Sequence, residues 1–207
     1  MLQISGLSKA FGGRPVVTDL EVDVRAGEVV ALVGPNGAGK TTVLRCVVGR
    51  DTPDAGEVLL DGGALDDRQP AVRRELCALL DDTAYLPDLT AREHLELLAR
   101  AHGVADADDR VHEALTDLRI DHVADQLPTT LSSGQAQRLA LAQALVRPWR
   151  LLVIDEPEQR LDDGGRAWLA AWLAQSAGAG RAVLMASHDP AVRERSGARV
   201  VHVGRHD

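Results

Sequence analysis

The sequence predicts an α/β fold with a mostly parallel sheet, an antiparallel β layer at the N-terminus and an inserted α-helical subdomain. Three observations carry that expectation. A short apolar run at residues 28–33 enters a glycine-rich loop and leaves it into a helical stretch at 40–48, the order strand, loop, helix. Two later strand-length apolar runs, 151–154 and 182–186, are separated by a helix-patterned segment at 165–175, and strands that alternate with helices imply parallel pairing. Between these halves lies a stretch whose apolar spacing is helical throughout.

Each element has its own reason. Residues 2–7 and 16–24 alternate or cluster β-branched side chains, with turn signals at Gly12-Gly13 and Ala26-Gly27, the pattern of an antiparallel pair. Residues 58–60, bounded by Gly56 and Gly62-Gly63, add a strand to that layer. In the helical stretch, 92–102 and 108–118 place Leu95, Leu98, Ala99, Val111, Leu115 and Leu118 at helical spacing with charges between them. Thr90 precedes the first with Glu93 three positions on, a capping-box pattern. Residues 135–145 form a third, Ala/Leu-rich helix stopped by Pro148, and 199–203 close the chain as a strand. The expected organisation is one domain, with its core at about 1–80 and 148–207 and its helical subdomain at about 81–147.

Composition narrows the function classes. The 207 residues suffice for one domain with a small insertion, and 45% hydrophobic with 26% charged residues is ordinary for a globular protein. Only 2% are aromatic, so Leu, Val and Ala must build the core. A net charge of -8 argues against a protein that works by neutralising nucleic-acid phosphates, and no nucleic-acid partner is expected. Cys46 and Cys77 lack metal-ligand spacing and read as buried, reduced thiols. The N-terminus lacks the apolar stretch of a signal peptide, and runs such as 29–33 are far too short for a bilayer span. A soluble protein is expected, held at any membrane by another chain.

Chemistry concentrates first at Gly34, Pro35, Asn36, Gly37, Ala38, Gly39, Lys40, Thr41 and Thr42, which match G-x-x-x-x-G-K-[ST] between a strand and a helix. Glycines let backbone N–H groups turn inward on phosphate oxygens, and the helix N-terminus adds positive potential. Lys40 can reach β- and γ-phosphates, and the Thr41 hydroxyl can ligate Mg²⁺. An accidental glycine-rich turn is the bland alternative, which this flanking context disfavours. The core is therefore expected to be that of a P-loop NTPase. Residues 151–157, LLVIDEP, form a strand ending in two carboxylates. Asp155 sits where Mg²⁺ needs a carboxylate, and Glu156 can polarise a water for in-line attack. Many strands end in Asp-Glu; the phosphate loop upstream gives this pair its meaning.

Residues 131–135 read LSSGQ at the start of a helix and resemble the LSGGQ signature of ATP-binding-cassette (ABC) ATPases. The resemblance covers essentially the whole chain. It implies ATP and Mg²⁺ as ligands, ATP hydrolysis as the activity, and a head-to-tail pair of nucleotide domains, either a homodimer or a heterodimer with a close homologue. In that pair Ser132, Gly134 and Gln135 would act in trans on nucleotide held by the partner's loop. Phe11 lies where the family stacks a ring on adenine, against the plainer reading of a core residue. His188 resembles the switch histidine that meets the γ-phosphate, and Asp162 matches the inter-domain aspartate.

Three departures stand out. The family's glutamine in the loop joining core to helical subdomain, near residues 78–82, is matched here by Asp81, a shorter and charged metal or water ligand. Ser133 replaces a signature glycine. Arg160 stands in residues 158–162 where small residues are usual.

The resemblance implies a subunit that drives a separate transmembrane permease from the cytoplasmic face of the membrane, with 85–95 resembling the stretch that receives the permease. Only nineteen residues follow His188, too few for the regulatory domain common in importers, so an exporter is expected by analogy. The alternative is a soluble ABC ATPase acting in assembly or on nucleic acid or ribosomes; chromosome-type coiled coils and a second cassette are both missing.

Overall fold

The computed structural model describes residues 1–65, 69–80 and 85–204. Strands β1 (Leu2–Phe11) and β2 (Arg14–Val24) pair antiparallel, and β1 pairs on its other side with β4 (Ala55–Leu60), which carries the short β5 (Gly63–Ala64). Along β1 the side chains of Leu2, Ile4 and Leu7 are buried while Gln3 and Ser5 are exposed. An irregularity between Ile4 and Leu7 lets an odd spacing keep both leucines inside.

The second sheet is parallel and ordered β6-β7-β8-β3-β9, from β6 (Leu76–Leu79), β7 (Leu151–Asp155), β8 (Ala182–Ala186), β3 (Val29–Val33) and β9 (Arg199–His202). Its three inner strands are buried at every position, which is why they read as continuous apolar runs rather than alternating ones. Successive side chains still point to opposite faces. Val29 and Ala31 join an apolar cluster with Leu152, Ile154, Leu95, Leu115 and Leu139, whereas Val30 and Leu32 join Val153, Leu184, Leu44 and Leu7 on the other face. The first face is covered by α3 (Ala91–Ala101), α4 (Ala107–Asp117), α5 (Ser133–Leu145) and α6 (Asp163–Gly178), the second by α1 (Lys40–Val47) and the antiparallel layer. The fold is the expected α/β architecture. The Thr90–Glu93 capping box forms in full at the start of α3. Both cysteines are buried free thiols, and burial pushes each pKa up to about 11.

Several boundaries differ. Helix α5 starts at Ser133 rather than 135, and α6 spans Asp163–Gly178 rather than 165–175. Two helices went unread, α2 (Pro70–Glu75) and α7 (Pro190–Arg195), as did β6. The connecting loop placed near 78–82 begins later: Ala78 and Leu79 pair with Val153 and Ile154 as an edge strand of the parallel sheet. Four apolar residues after a short charged helix carry no periodicity of their own, and the pairing with β7 decides their state. Among the described residues no helix is long and apolar enough to cross a membrane.

Candidate active site

The site assembles where the carboxyl ends of β3, β7 and β8 open on one edge of the parallel sheet, the usual place for ligands in open α/β folds. The buried strand β3 delivers the chain to Gly34, where a Cβ would lie 2.2 Å from the Val203 carbonyl oxygen, so only glycine fits. The loop then turns into α1 through Gly39, whose φ of 96° is a glycine conformation. Among the described residues no side chain caps α1. Its first N–H groups are therefore open to an anion at the positive end of the helix dipole.

Lys40 is 6% exposed and folds back over the loop, where Nζ donates to the carbonyls of Gly34 at 2.9 Å and Pro35 at 3.2 Å. The next residue reaches across the sheet: Thr41 Oγ1 donates to Asp155 Oδ2 at 2.6 Å. Asp155 is the last residue of β7 and 7% exposed. This hydroxyl–carboxylate pair is a hard-oxygen set suited to Mg²⁺. Among the described residues no group of three or more His, Cys, Asp or Glu could hold a metal ion. The pair fits an ion that takes its other ligands from phosphates and water, as Mg²⁺ does.

Glu156 follows with φ 43°, a left-handed conformation that costs a non-glycine residue about 1–3 kcal/mol and tends to sit at functional sites. Its N–H donates to the Ala186 carbonyl at 2.9 Å, tying the ends of β7 and β8 together. The carboxylate is doubly engaged. Oε1 lies 3.2 Å from Nε2 of His188, and Oε2 accepts from Gln159 Nε2. His188 follows β8, and its N–H donates to Glu158 Oε1 at 2.7 Å.

Ser132, Gly134 and Gln135 open α5. Ser132 Oγ accepts from the Gln135 N–H at 3.3 Å and Gln135 Oε1 accepts from the Ser132 N–H at 2.9 Å, a reciprocal cap. Among the described residues no hydrogen bond or ion pair joins these three to residues 34–42. They meet the loop after Glu156 instead: a Cβ on Gly134 would lie 3.1 Å from the Arg160 carbonyl oxygen. Arg138 on the same helix pairs with Asp162 Oδ1 at 2.6 Å. Asp162 also caps α6 through the Gly165 N–H, and that amide, with Arg138 nearby, holds its carboxyl below the usual range. Arg160 is exposed with φ 61°. Phe11 ends β1 with half its surface exposed, under Lys9, whose Nζ is 5.5 Å from the ring centroid. The core reading of Phe11 is therefore ruled out. Asp81 lies outside the described residues.

Glu158, Gln159 and Arg138 escaped the sequence reading. The signal for Glu158 was a carboxylate directly after the Asp-Glu-Pro turn, and nothing local marks it as buried.

The model of the ABC transporter family matches residues 17–159. The chain belongs to that family. This ABC cassette is 39% identical over 191 residues to the SkfA peptide export ATP-binding protein SkfE of Bacillus subtilis, covering 91% of this chain and 79% of the relative. It is 38% identical over 205 residues to the aliphatic sulfonates import ATP-binding protein SsuB 1 of Nocardia farcinica, covering 99% and 78%. Its fold matches the dimeric, post-hydrolysis ATP-binding cassette MJ0796 bound to ADP and Pi with a TM-score of 0.86 and 25% identity, covering 99% of this chain and 94% of that one. The cassette is thus an ABC ATPase, an ATP-binding subunit of the transporter family. The chain spans most of the exporter SkfE and the importer SsuB 1 but only 44% of the spermidine/putrescine import ATP-binding protein PotA of Aliivibrio fischeri, to which it is 37% identical over 164 residues, so its relatives include both importers and exporters.

Proposed function

We propose that two copies of this cassette close head to tail on ATP and that its cleavage lets them part, driving a separate membrane-spanning subunit. The convergence of Lys40, Thr41, Asp155, Glu156 and His188 at one edge of the sheet carries this reading. The backbone of residues 34–42 would cradle the phosphates, with Lys40 leaving its two carbonyls for the β- and γ-phosphate oxygens. Thr41 and Asp155, with Asp81 as a further candidate, would hold Mg²⁺, which supplies charge neutralisation at the phosphates when bound. Phe11 would stack on adenine. Glu156 would orient the attacking water and take its proton as the bond to the γ-phosphate breaks, with His188 hydrogen-bonded to that phosphate.

The capping box commits the side chains of Ser132 and Gln135 to their own helix, while the N–H groups of its first turn remain for an anion. Among the described residues no hydrogen bond or ion pair joins Ser132, Gly134 or Gln135 to the loop of their own chain, which supports a second copy as the source of the closing signature. That MJ0796 forms a dimer supports the same arrangement. The helical part, residues 81–147, would pass the motion to the permease through residues 85–95, on the cytoplasmic face of the membrane.

Export is the direction we favour, on the likeness to SkfE at 39% identity; import stands as the second reading on SsuB 1 at 38%. The test of the central reading is Glu156→Gln. It should retain ATP and accumulate as an ATP-bound dimer in size-exclusion chromatography with light scattering, while hydrolysis falls by about 10²–10⁴-fold. A variant that stays monomeric with bound ATP would count against the paired site. Capture from native membranes should bring down an integral membrane protein, and ribosomes in its place would favour the soluble alternative.

A further inference from the structure

Glu158 is a buried carboxylate that the reading above leaves unused. It is 6% exposed, and its Oε1 accepts three hydrogen bonds from one turn: Ser187 Oγ at 2.8 Å, the His188 N–H at 2.7 Å and the Asp189 N–H at 3.1 Å. Its Oε2 is buried with no hydrogen-bond partner among the described residues. Burying half a carboxylate without a partner is unfavourable, so the three bonds made by the other oxygen must offset that cost.

The position of those bonds is informative. Ser187 is fully buried and the turn is braced again by Arg193 Nη1, which donates to the Ser187 carbonyl at 3.0 Å. The residue after Glu158 grips the other member of the reacting pair, for Gln159 Nε2 donates to Glu156 Oε2. Glu156 and His188 in turn meet at 3.2 Å. Two adjacent residues therefore hold the two sides of one contact, Gln159 the carboxylate and Glu158 the main chain of the histidine. The same loop ends in Arg160 and Asp162, beside the helix that Ser132 caps.

We propose that Glu158 is a positioning residue that fixes the main chain of His188, and so holds its imidazole in register with Glu156. Glu158 touches no reacting atom; it acts through the backbone of His188. The inference rests on the ATP-cleaving site of the reading above and adds to it the group that sets the place of its histidine.

The test is steady-state ATP hydrolysis by the full chain with magnesium, alongside equilibrium ATP binding. Glu158→Ala should lower kcat by about tenfold or more, because a misplacement of about 1 Å is that costly to a reacting group, while KM and ATP affinity hold. Glu158→Gln should restore turnover, since its amide oxygen can accept the same three bonds. In a His188→Ala background, Glu158→Ala should cost nothing further, because coupled residues are non-additive. A role in folding alone would add its loss in either background. Should Glu158→Ala not fold, Glu158→Asp replaces it, one methylene too short to reach the turn, with the same loss expected. Undiminished kcat, an equal loss in the His188→Ala background, or a Gln variant as impaired as Ala each overturns the proposal. Absence of turnover in the unmodified chain would instead overturn the paired-site reading, and this inference with it.

Discussion

Replacing Arg160 by glycine should stabilise this protein. Arg160 holds φ 61°, in the left-handed region where an L-residue with a Cβ is strained by roughly 1–2 kcal/mol. Glycine has no such strain but loses more backbone freedom on folding, about 0.5–1 kcal/mol. The side chain is exposed and makes no hydrogen bond or ion pair among the described residues, so nothing is forfeited with it. The difference is a gain of about 0.5–1 kcal/mol, which for a domain of this size raises Tm by about 1–4 °C. Thermal unfolding by calorimetry or fluorescence, without nucleotide, measures it. Arg119 offers a control, since it occupies a helix-ending position with φ 56°, its own N–H bonding Thr116 and that of Ile120 bonding Leu115. Arg119→Gly should shift Tm in the same direction. A fall in Tm for Arg160→Gly, with a rise for Arg119→Gly, would refute the reasoning by showing that the Arg160 side chain contributes more than its backbone costs.

Other variants probe the site and the fold. Lys40→Ala removes a charged donor from the phosphate loop and should weaken ATP binding by about 2–4 kcal/mol in titration calorimetry; unchanged affinity would remove the loop from the site. Gly34→Ala brings a Cβ to within 2.2 Å of the Val203 carbonyl oxygen and should lower stability by more than about 1 kcal/mol, with a corresponding fall in Tm, and should lower nucleotide affinity as well. Acidification has a definite sign. Burial lowers the pKa of His94, and burial with Arg147 and Arg74 nearby lowers that of His102, both from 6.5. Below about 6.5 the unfolded chain binds protons that the folded chain refuses, so stability present at neutral pH is lost as pH falls towards the folded values. The fall in Tm between pH 7 and 5 should shrink in a His94→Gln/His102→Gln variant, and an unaltered slope would assign it to other groups.

How much of this was legible in the sequence depended on distance along the chain. Residues 34–42 stand out because phosphate recognition there is done by consecutive backbone groups, so the spacing is itself the signal. The Thr90–Glu93 cap was readable for the same reason, its two partners being three residues apart. Strand β6 was not, because Leu76–Leu79 becomes a strand only by pairing with Leu151–Ile154. Glu158 was hidden more deeply. Its burial depends on Ser187, 29 positions away, and a carboxylate two residues beyond Glu156 looks like any solvated loop charge until that turn closes on it. The left-handed backbone at Glu156 and Arg160 was equally invisible, since neither residue type favours φ above zero.

The shared seam can be tested by mixing two inactive proteins. One carries Lys40→Ala, which disables its phosphate loop, and the other carries Ser132→Arg with Gly134→Asp, which disables its signature. A mixed pair would contain one site built from two damaged parts and one built from two sound parts. Random exchange should therefore recover about a quarter of the normal ATPase rate if the two sites of a symmetric dimer act independently. A mixture as inactive as its components, under conditions where exchange of subunits is demonstrated, would contradict nucleotide cleavage between two copies of this chain.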